Sequence, residues 1–450
     1  MDPAPQPPGN PPSAADPEAS YPHSPASIGA GVAAALGAGL GAGLSSALFL
    51  WALDLVTSIR WEHRWLLLFL PVAGVLMQRA YRAWGRGAER GSGLILDAFQ
   101  GGAQEVPWTM APLVLGGTLL SHLCGGSVGR EGTAVQMGVS LAAAWGRRFR
   151  DRLPDPSLVL MAGVAGGFGS VFGTPWAGAL YALEWPEPGR VAWRRALPCL
   201  VAAWAGHATC MALGVRHTVY PSSAGPIIPA WSEVGACAVA GVAFGLAARA
   251  FVASLRAWGR GFGVLGVGPA ALPVVSAALL IALTWALGTD AYLGLGVTGR
   301  LPGDPSLVRS FELGGVTAWS WWWKLLFTTL TLAGGFKGGE VTPLFFIGAA
   351  LGQAVATLGG WPVGEFAALG FIAVFAAASH TPWACVVLGW ELFGPGLIAP
   401  GCIAVLVADA VATGTGLSDR RTRSVMTTWI RDRCRSAGPA RPGDAVSRGD

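Results

Sequence analysis

Two glutamates sit inside runs of glycine, each just ahead of an apolar segment. Glu131 lies in Gly125-Gly126-Ser127-Val128-Gly129-Arg130-Glu131-Gly132-Thr133, before the helix-like run Ala134 to Trp145. Glu340 lies in Gly334-Gly335-Phe336-Lys337-Gly338-Gly339-Glu340-Val341-Thr342-Pro343, before Leu344 to Leu351. Glycines allow close approach to a helix amino terminus, where unpaired N–H groups and the positive dipole end favour an anion. A carboxylate at that point occupies an anion's own seat, and protonation lets it leave. The chemistry predicted is exchange, with anion and proton using one seat in turn. For Glu131 the structural alternative is a helix cap or a pair with Arg130, and for Glu340 a salt bridge. Backbone N–H groups of Val341 and Thr342, with the Thr342 hydroxyl, are expected to face the same anion. Gly129, Gly132 and Thr133 complete the set around Glu131.

A second pattern occurs twice. Thr174-Pro175-Trp176-Ala177 precedes Glu184, and Thr381-Pro382-Trp383-Ala384 precedes Glu391, both pairs at an offset of 207 residues. Glu131 and Glu340 are 209 apart, a small slip that loop variation explains. A duplicated apolar chain with carboxylates in both halves reads as a membrane transporter whose duplication marks the substrate path. Glu184 and Glu391 close apolar helices, which suggests capping or subunit contact. Glu184 is also a candidate for the proton path. Phe168, Phe172, Phe345 and Phe346 read as packing. A third glycine-opened helix start, Gly91-Ser92-Gly93-Leu94-Ile95, offers the Ser92 hydroxyl and neighbouring N–H groups of Gly93 and Leu94 to an anion, although Gly-Ser-Gly is also ordinary turn chemistry.

The elements that hold these residues must be membrane helices. Of 450 residues, 52% are hydrophobic and only 12% charged, with mean hydropathy +0.50. A soluble domain is about one quarter charged. Long weakly charged stretches recur from residue 25 to 413, several too long for one span and too rich in glycine for one clean helix. Tilted, broken or re-entrant helices are expected, roughly 10 to 18 segments. Stacked Gly and Ala let such helices approach closely. The expected organisation is an N-terminal disordered arm (1–24), a first transmembrane repeat (25–215), a linker (216–231), a second repeat (232–425) and a disordered tail (426–450). Sequence repetition does not say whether the repeats run parallel or inverted.

The net charge of +5 is no nucleic-acid signal, because the basic residues cluster in loops and tail. Arg147, Arg148, Arg150 and Arg152, and the arginines after 419, follow the positive-inside rule and place those segments in the cytoplasm. Seven scattered cysteines show no Cys-x-x-Cys spacing, and His207 and His217 have no carboxylates beside them. No metal or other cofactor is therefore expected. No Ser–His pair or metal cluster supports enzymatic chemistry.

On these motifs the chain resembles the CLC family of chloride channels and anion/proton antiporters, over about residues 30–425. Gly129-Arg130-Glu131-Gly132-Thr133 looks like its Gly-Arg/Lys-Glu-Gly-Pro element with threonine for proline. Gly338 to Pro343 looks like its Gly-x-Phe-x-Pro element, and Gly91 to Ile95 like Gly-Ser-Gly-Ile-Pro. The resemblance implies an all-α polytopic membrane protein of two inverted repeats with broken and re-entrant helices. It implies a multi-pass protein of the bacterial inner (plasma) membrane, a homodimer with one pathway per subunit, and Glu131 as the proton-carrying gate. The threonine after Glu-Gly and the Gly-Gly-Glu-Val-Thr-Pro run are more similar to the bacterial fluoride/proton antiporter branch. Ser92 instead matches chloride-handling members. The family's central tyrosine falls near Ser418, which joins the anion-binding candidates. Trp185 stands where chloride antiporters keep an inner proton glutamate. Fluoride or chloride and protons are thus the expected substrates, with membrane lipid as surroundings and chloride transport, as a channel or an antiporter, as the alternative.

Overall fold

The computed structural model describes residues 25–417, apart from 100, 103, 150, 154, 188–190 and 222–230. The calls on residues 1–24, on 426–450 and on Ser418 lie outside the described residues.

Fifteen α-helices carry the described chain, and its β-structure is one isolated bridge. Before the connection near residue 220 come α1 (Pro25–Glu62), α2 (Leu70–Trp84), α3 (Ser92–Phe99), α4 (Met110–Leu123), α5 (Glu131–Gly146), α6 (Ser157–Phe172), α7 (Pro175–Glu184) and α8 (Ala196–Ala212). After it come α9 (Trp231–Val264), α10 (Leu272–Leu287), α11 (Ser320–Ala333), α12 (Val341–Gly359), α13 (Val363–Ser379), α14 (Pro382–Phe393) and α15 (Ile398–Val411). A bilayer core asks for about 20 residues of helix. By length and composition, four segments meet that requirement: Ile28–Glu62, Arg64–Trp84, Glu233–Val264 and Val341–Gly359. The rest are shorter pieces such as α3, α7 and α14. Non-helical backbone at membrane depth survives only where protein or a cavity surrounds it. Broken helices therefore mark the interior.

Local chemistry sets the breaks. Pro175 and Pro382 start α7 and α14, where the missing N–H costs nothing. Gly173, Gly288 and Gly360 take left-handed backbone at the ends of α6, α10 and α12. His380 closes α13 in the same conformation at φ 56°, which is uncommon for a non-glycine residue.

Packing follows the small residues. α5 crosses α6 so closely that a methyl on Gly138 would stand 2.5 Å from the Gly163 carbonyl oxygen. α12 crosses α13 in the same way, with a methyl on Gly348 at 2.0 Å from the Gly370 carbonyl oxygen. The two crossings occupy equivalent places in the two halves. Between them lies an aromatic core in which Phe345 stacks on Phe371 at 3.9 Å and Phe172 meets Phe345 at 5.3 Å. Phe168 and Tyr181 both stack on Phe375, so these rings pack the halves together, as their types predict. On the outer surface, Leu36, Leu40, Leu44, Leu48 and Leu55 of α1 are all exposed. Leucines four and seven apart along one face suit a helix wetted by lipid.

The halves run in opposite senses. α5 and α12 meet head to head at their amino ends, where the Gly129 N–H donates to the Gly339 carbonyl and the Gly339 N–H donates back to Gly129. This inversion is a fact of the tertiary structure.

Candidate functional site

Glu131 opens α5 and is 1% exposed. Its Oε2 accepts the Thr342 backbone N–H at 3.0 Å, and the Thr342 hydroxyl donates to the same oxygen at short range. Thr342 belongs to the first turn of α12, in the opposite half. Thus a carboxylate from one repeat sits on the amino end of a helix from the other. The Arg130 N–H approaches Oε2 at 3.3 Å, and Arg130 Nε reaches Oε1 at 3.3 Å. The paired Gly129–Gly339 backbone makes this possible, because a methyl on Gly129 would press within 2.8 Å of the Pro343 ring.

The other expected anion ligands are distributed unevenly. Gly132 lies in the first turn of α5 against Gly339, and Val341 lies in the first turn of α12, so both N–H groups lack helical acceptors. The Thr133 hydroxyl pairs with the Thr118 hydroxyl on α4 at 2.8 Å. Ser92 is half-buried, Gly93 exposed and Leu94 buried at the start of α3, and the Ser92 hydroxyl bonds no described residue. That helix lies lower along α5, with Gly91 against the Gln136 amide at 3.3 Å from its would-be methyl. Gln136 follows Glu131 by five residues, about 7 Å along the axis. Sequence reasoning gave Gln136 no role, since one glutamine on an apolar helix carries no pattern.

Glu340 lies on the loop that leads into α12. It forms no ion pair with a described residue, contrary to the salt-bridge reading, and one carboxylate oxygen stands 3.8 Å from a methyl position on Gly132. Lys337 of the same loop donates to the Glu89 carbonyl and covers the Tyr81 ring at 4.5 Å.

Glu184 and Glu391 have the architectural duty that their repetition suggests. Glu184 accepts the Trp383 and Ala384 N–H groups at 3.3 and 2.9 Å, at the start of α14. Glu391 accepts the Trp176 and Ala177 N–H groups at 3.1 and 2.7 Å, at the start of α7. Each glutamate ends one repeat's helix and caps the other's, so the positive dipole ends face carboxylates across the pseudo-symmetry. Both Glu184 oxygens are engaged in this way. The described residues contain no cluster of three metal-ligating side chains.

Inverted repeats whose broken helices bring a carboxylate onto a helix amino end define a membrane anion-transport protein rather than an enzyme. The family model for voltage gated chloride channels matches residues 69–413, and the chain belongs to that family. It is a multi-pass protein of the bacterial inner membrane. A relative from Pseudomonas syringae pv. tomato, described as a chloride/fluoride channel protein, is 43% identical over 380 residues, covering 83% of this chain and 82% of the relative. The crystal structure of a CLC-type fluoride/proton antiporter superposes with a TM-score of 0.82 at 30% identity, covering 88% of this chain and 98% of that one. A slow cyanobacterial Cl-/H+ antiporter shares the fold, with a TM-score of 0.72 at 19% identity and coverage of 91% and 99%.

Proposed function

We propose that the protein exports fluoride across the inner membrane in exchange for protons, with Glu131 as the gate. The observation that carries this reading is the Glu131 carboxylate seated on the Thr342 N–H and hydroxyl. An ionised carboxylate and a small anion ask for the same donors. When Glu131 is ionised it fills the seat; when protonated it loses its hold, swings away and admits the anion. Anion and proton then exchange places at one point, and stoichiometric coupling follows. Gly129, Gly132, Thr133 and Val341 shape the same seat through backbone groups, and Thr342 supplies its side-chain donor.

Fluoride is favoured by the density of N–H and O–H donors, since a small and strongly hydrated ion needs more compensation for lost water. The 43% identical relative and the fluoride/proton antiporter structure support that choice. The half-buried Ser92 on α3 favours the second reading, chloride transport. For the proton's inward step we assign Glu340, which lies beside Gly132 on the loop into α12. Glu184, the earlier candidate, already holds the α14 amino end through both oxygens. The protein acts as a homodimer with one pathway per subunit, as the family resemblance implies.

Proteoliposomes loaded with fluoride or chloride, with ion-selective electrodes and external pH recorded together, test the proposal. Faster fluoride than chloride efflux with opposing proton movement is expected. Glu131→Gln is expected to abolish the proton movement. Chloride efflux equal to or faster than fluoride efflux refutes the choice of anion, and proton exchange surviving Glu131→Gln refutes the gate.

A further inference from the structure

A cavity of about 370 Å³ opens beside the gate, between the carboxyl end of α1, the Gly125–Arg130 loop and the 290–304 loop. The positive-inside expectation for the arginines that follow α5 puts it on the outer side of the membrane. Gly37 of α1 packs against Trp145 at the arginine-flanked, cytoplasmic end of α5, and Arg60 stands 23 residues further along α1, about 34 Å away.

Arg60 lines this cavity, is 7% exposed, and its buried Nε finds no acceptor among the described residues. A buried guanidinium N–H without an acceptor is costly. Arg300, on the opposite wall, also has a buried Nε without a partner. Arg130, the third arginine, touches Glu131 through Nε. Behind the wall, the fully buried Lys324 donates to the carbonyl oxygens of Gly294 and Tyr292.

Three aspartates also line the space, and each has another position or duty. Asp290 attracts Arg60 from nearby, but its Oδ2 accepts Arg64 Nε at 2.9 Å. Asp304 accepts the Leu301 N–H at 2.8 Å, and Asp54 is exposed at the rim. His122 also lines the cavity, with its Nδ1 bonded to the Thr118 carbonyl. The cavity therefore brings two arginine Nε donors without acceptors, those of Arg60 and Arg300, to one space.

We propose that this cavity is an antechamber that binds a small inorganic anion through Arg60 and Arg300, one step outside the Glu131 seat. The inference rests on the anion-transport reading and adds a second site to it. An anion held there competes with Glu131 for Arg130, so accumulated external anion slows further release. The device makes export sensitive to its own product.

Isothermal titration of detergent-solubilised full-length protein with sodium fluoride, and in a second arm sodium chloride, tests it. Wild type is expected to show two classes of site. Arg60→Gln and Arg300→Gln are each expected to weaken one class about tenfold, as loss of a charge-assisted hydrogen bond does. Glu131→Gln changes the other class, and Arg60→Lys restores part of the loss. If Arg60→Gln fails to give a monodisperse protein, Arg300→Gln decides. Isotherms of the arginine variants that match wild type overturn the antechamber. Absence of anion flux from wild-type liposomes overturns the transport reading instead, so the two failures are distinguishable.

Discussion

Thr342→Val isolates the contribution of one hydroxyl to the shared seat. The backbone N–H of residue 342 stays 3.0 Å from Glu131 Oε2, the side-chain volume is nearly kept, and only the O–H donor disappears. A hydrogen bond to a charged acceptor is worth about 1.5–3 kcal/mol. Each 1.36 kcal/mol is tenfold, so the seat weakens by about 10- to 150-fold for any anion that uses the hydroxyl. The background pattern follows from the competition. In a Glu131→Gln background no carboxylate contests the seat, and anion affinity falls by the whole factor. With Glu131 present the carboxylate loses the same donor as the anion, and the two losses cancel. Titration calorimetry in both backgrounds measures the two affinities, with Thr342→Ser as the variant that restores the hydroxyl. Unchanged affinity in the Glu131→Gln background refutes the shared seat. A gain in affinity with Glu131 present shows that the hydroxyl serves the carboxylate alone.

The swapped caps predict that Glu391→Ala and Glu184→Ala each leave two backbone donors unsatisfied, at about 1–3 kcal/mol per group; thermal unfolding in detergent reads the loss, larger for the fully buried Glu184. Wild-type stability in either variant would remove the capping role. Gly348→Ala drives a methyl to 2.0 Å from the Gly370 carbonyl oxygen and costs at least about 1–3 kcal/mol, whereas Gly235→Ala on α9 meets no atom within 4 Å and is neutral or stabilising. Size-exclusion profiles and melting curves of the pair check this, and equal behaviour sinks it. His380 donates Nε2–H to the Thr415 carbonyl at 2.7 Å and shares a proton with Asp409 through Nδ1 at 2.7 Å, both side chains being buried. Either His380→Leu or Asp409→Leu alone breaks a buried pair and costs about 3–5 kcal/mol, and the double variant costs less than the two combined. Additive losses would show that the two residues do not act as a pair.

Much of this molecule is written locally. Prolines at the starts of α7 and α14, glycines at the ends of α6, α10 and α12, and the apolar run lengths fix where helices begin and stop, because those signals act over a few residues. The repeated Thr-Pro-Trp-Ala and its trailing glutamate are visible in the letters, as is the glycine-flanked Glu131. Their partners are not. Glu131 meets Thr342 from 211 residues away, and Glu184 caps a helix 200 residues further along the chain. The same letters would serve parallel repeats equally well. Only the packed structure turns one repeat over, because the glycine crossings and the Gly129–Gly339 bridge let the two helix starts meet end on. Thr133 shows the reverse case: a hydroxyl in the right motif turns to Thr118, since a neighbouring helix supplied the nearer partner. Sequence determined the helices and the carboxylates. Tertiary packing decided what each carboxylate faces, since donor direction is a property of helices brought together in space.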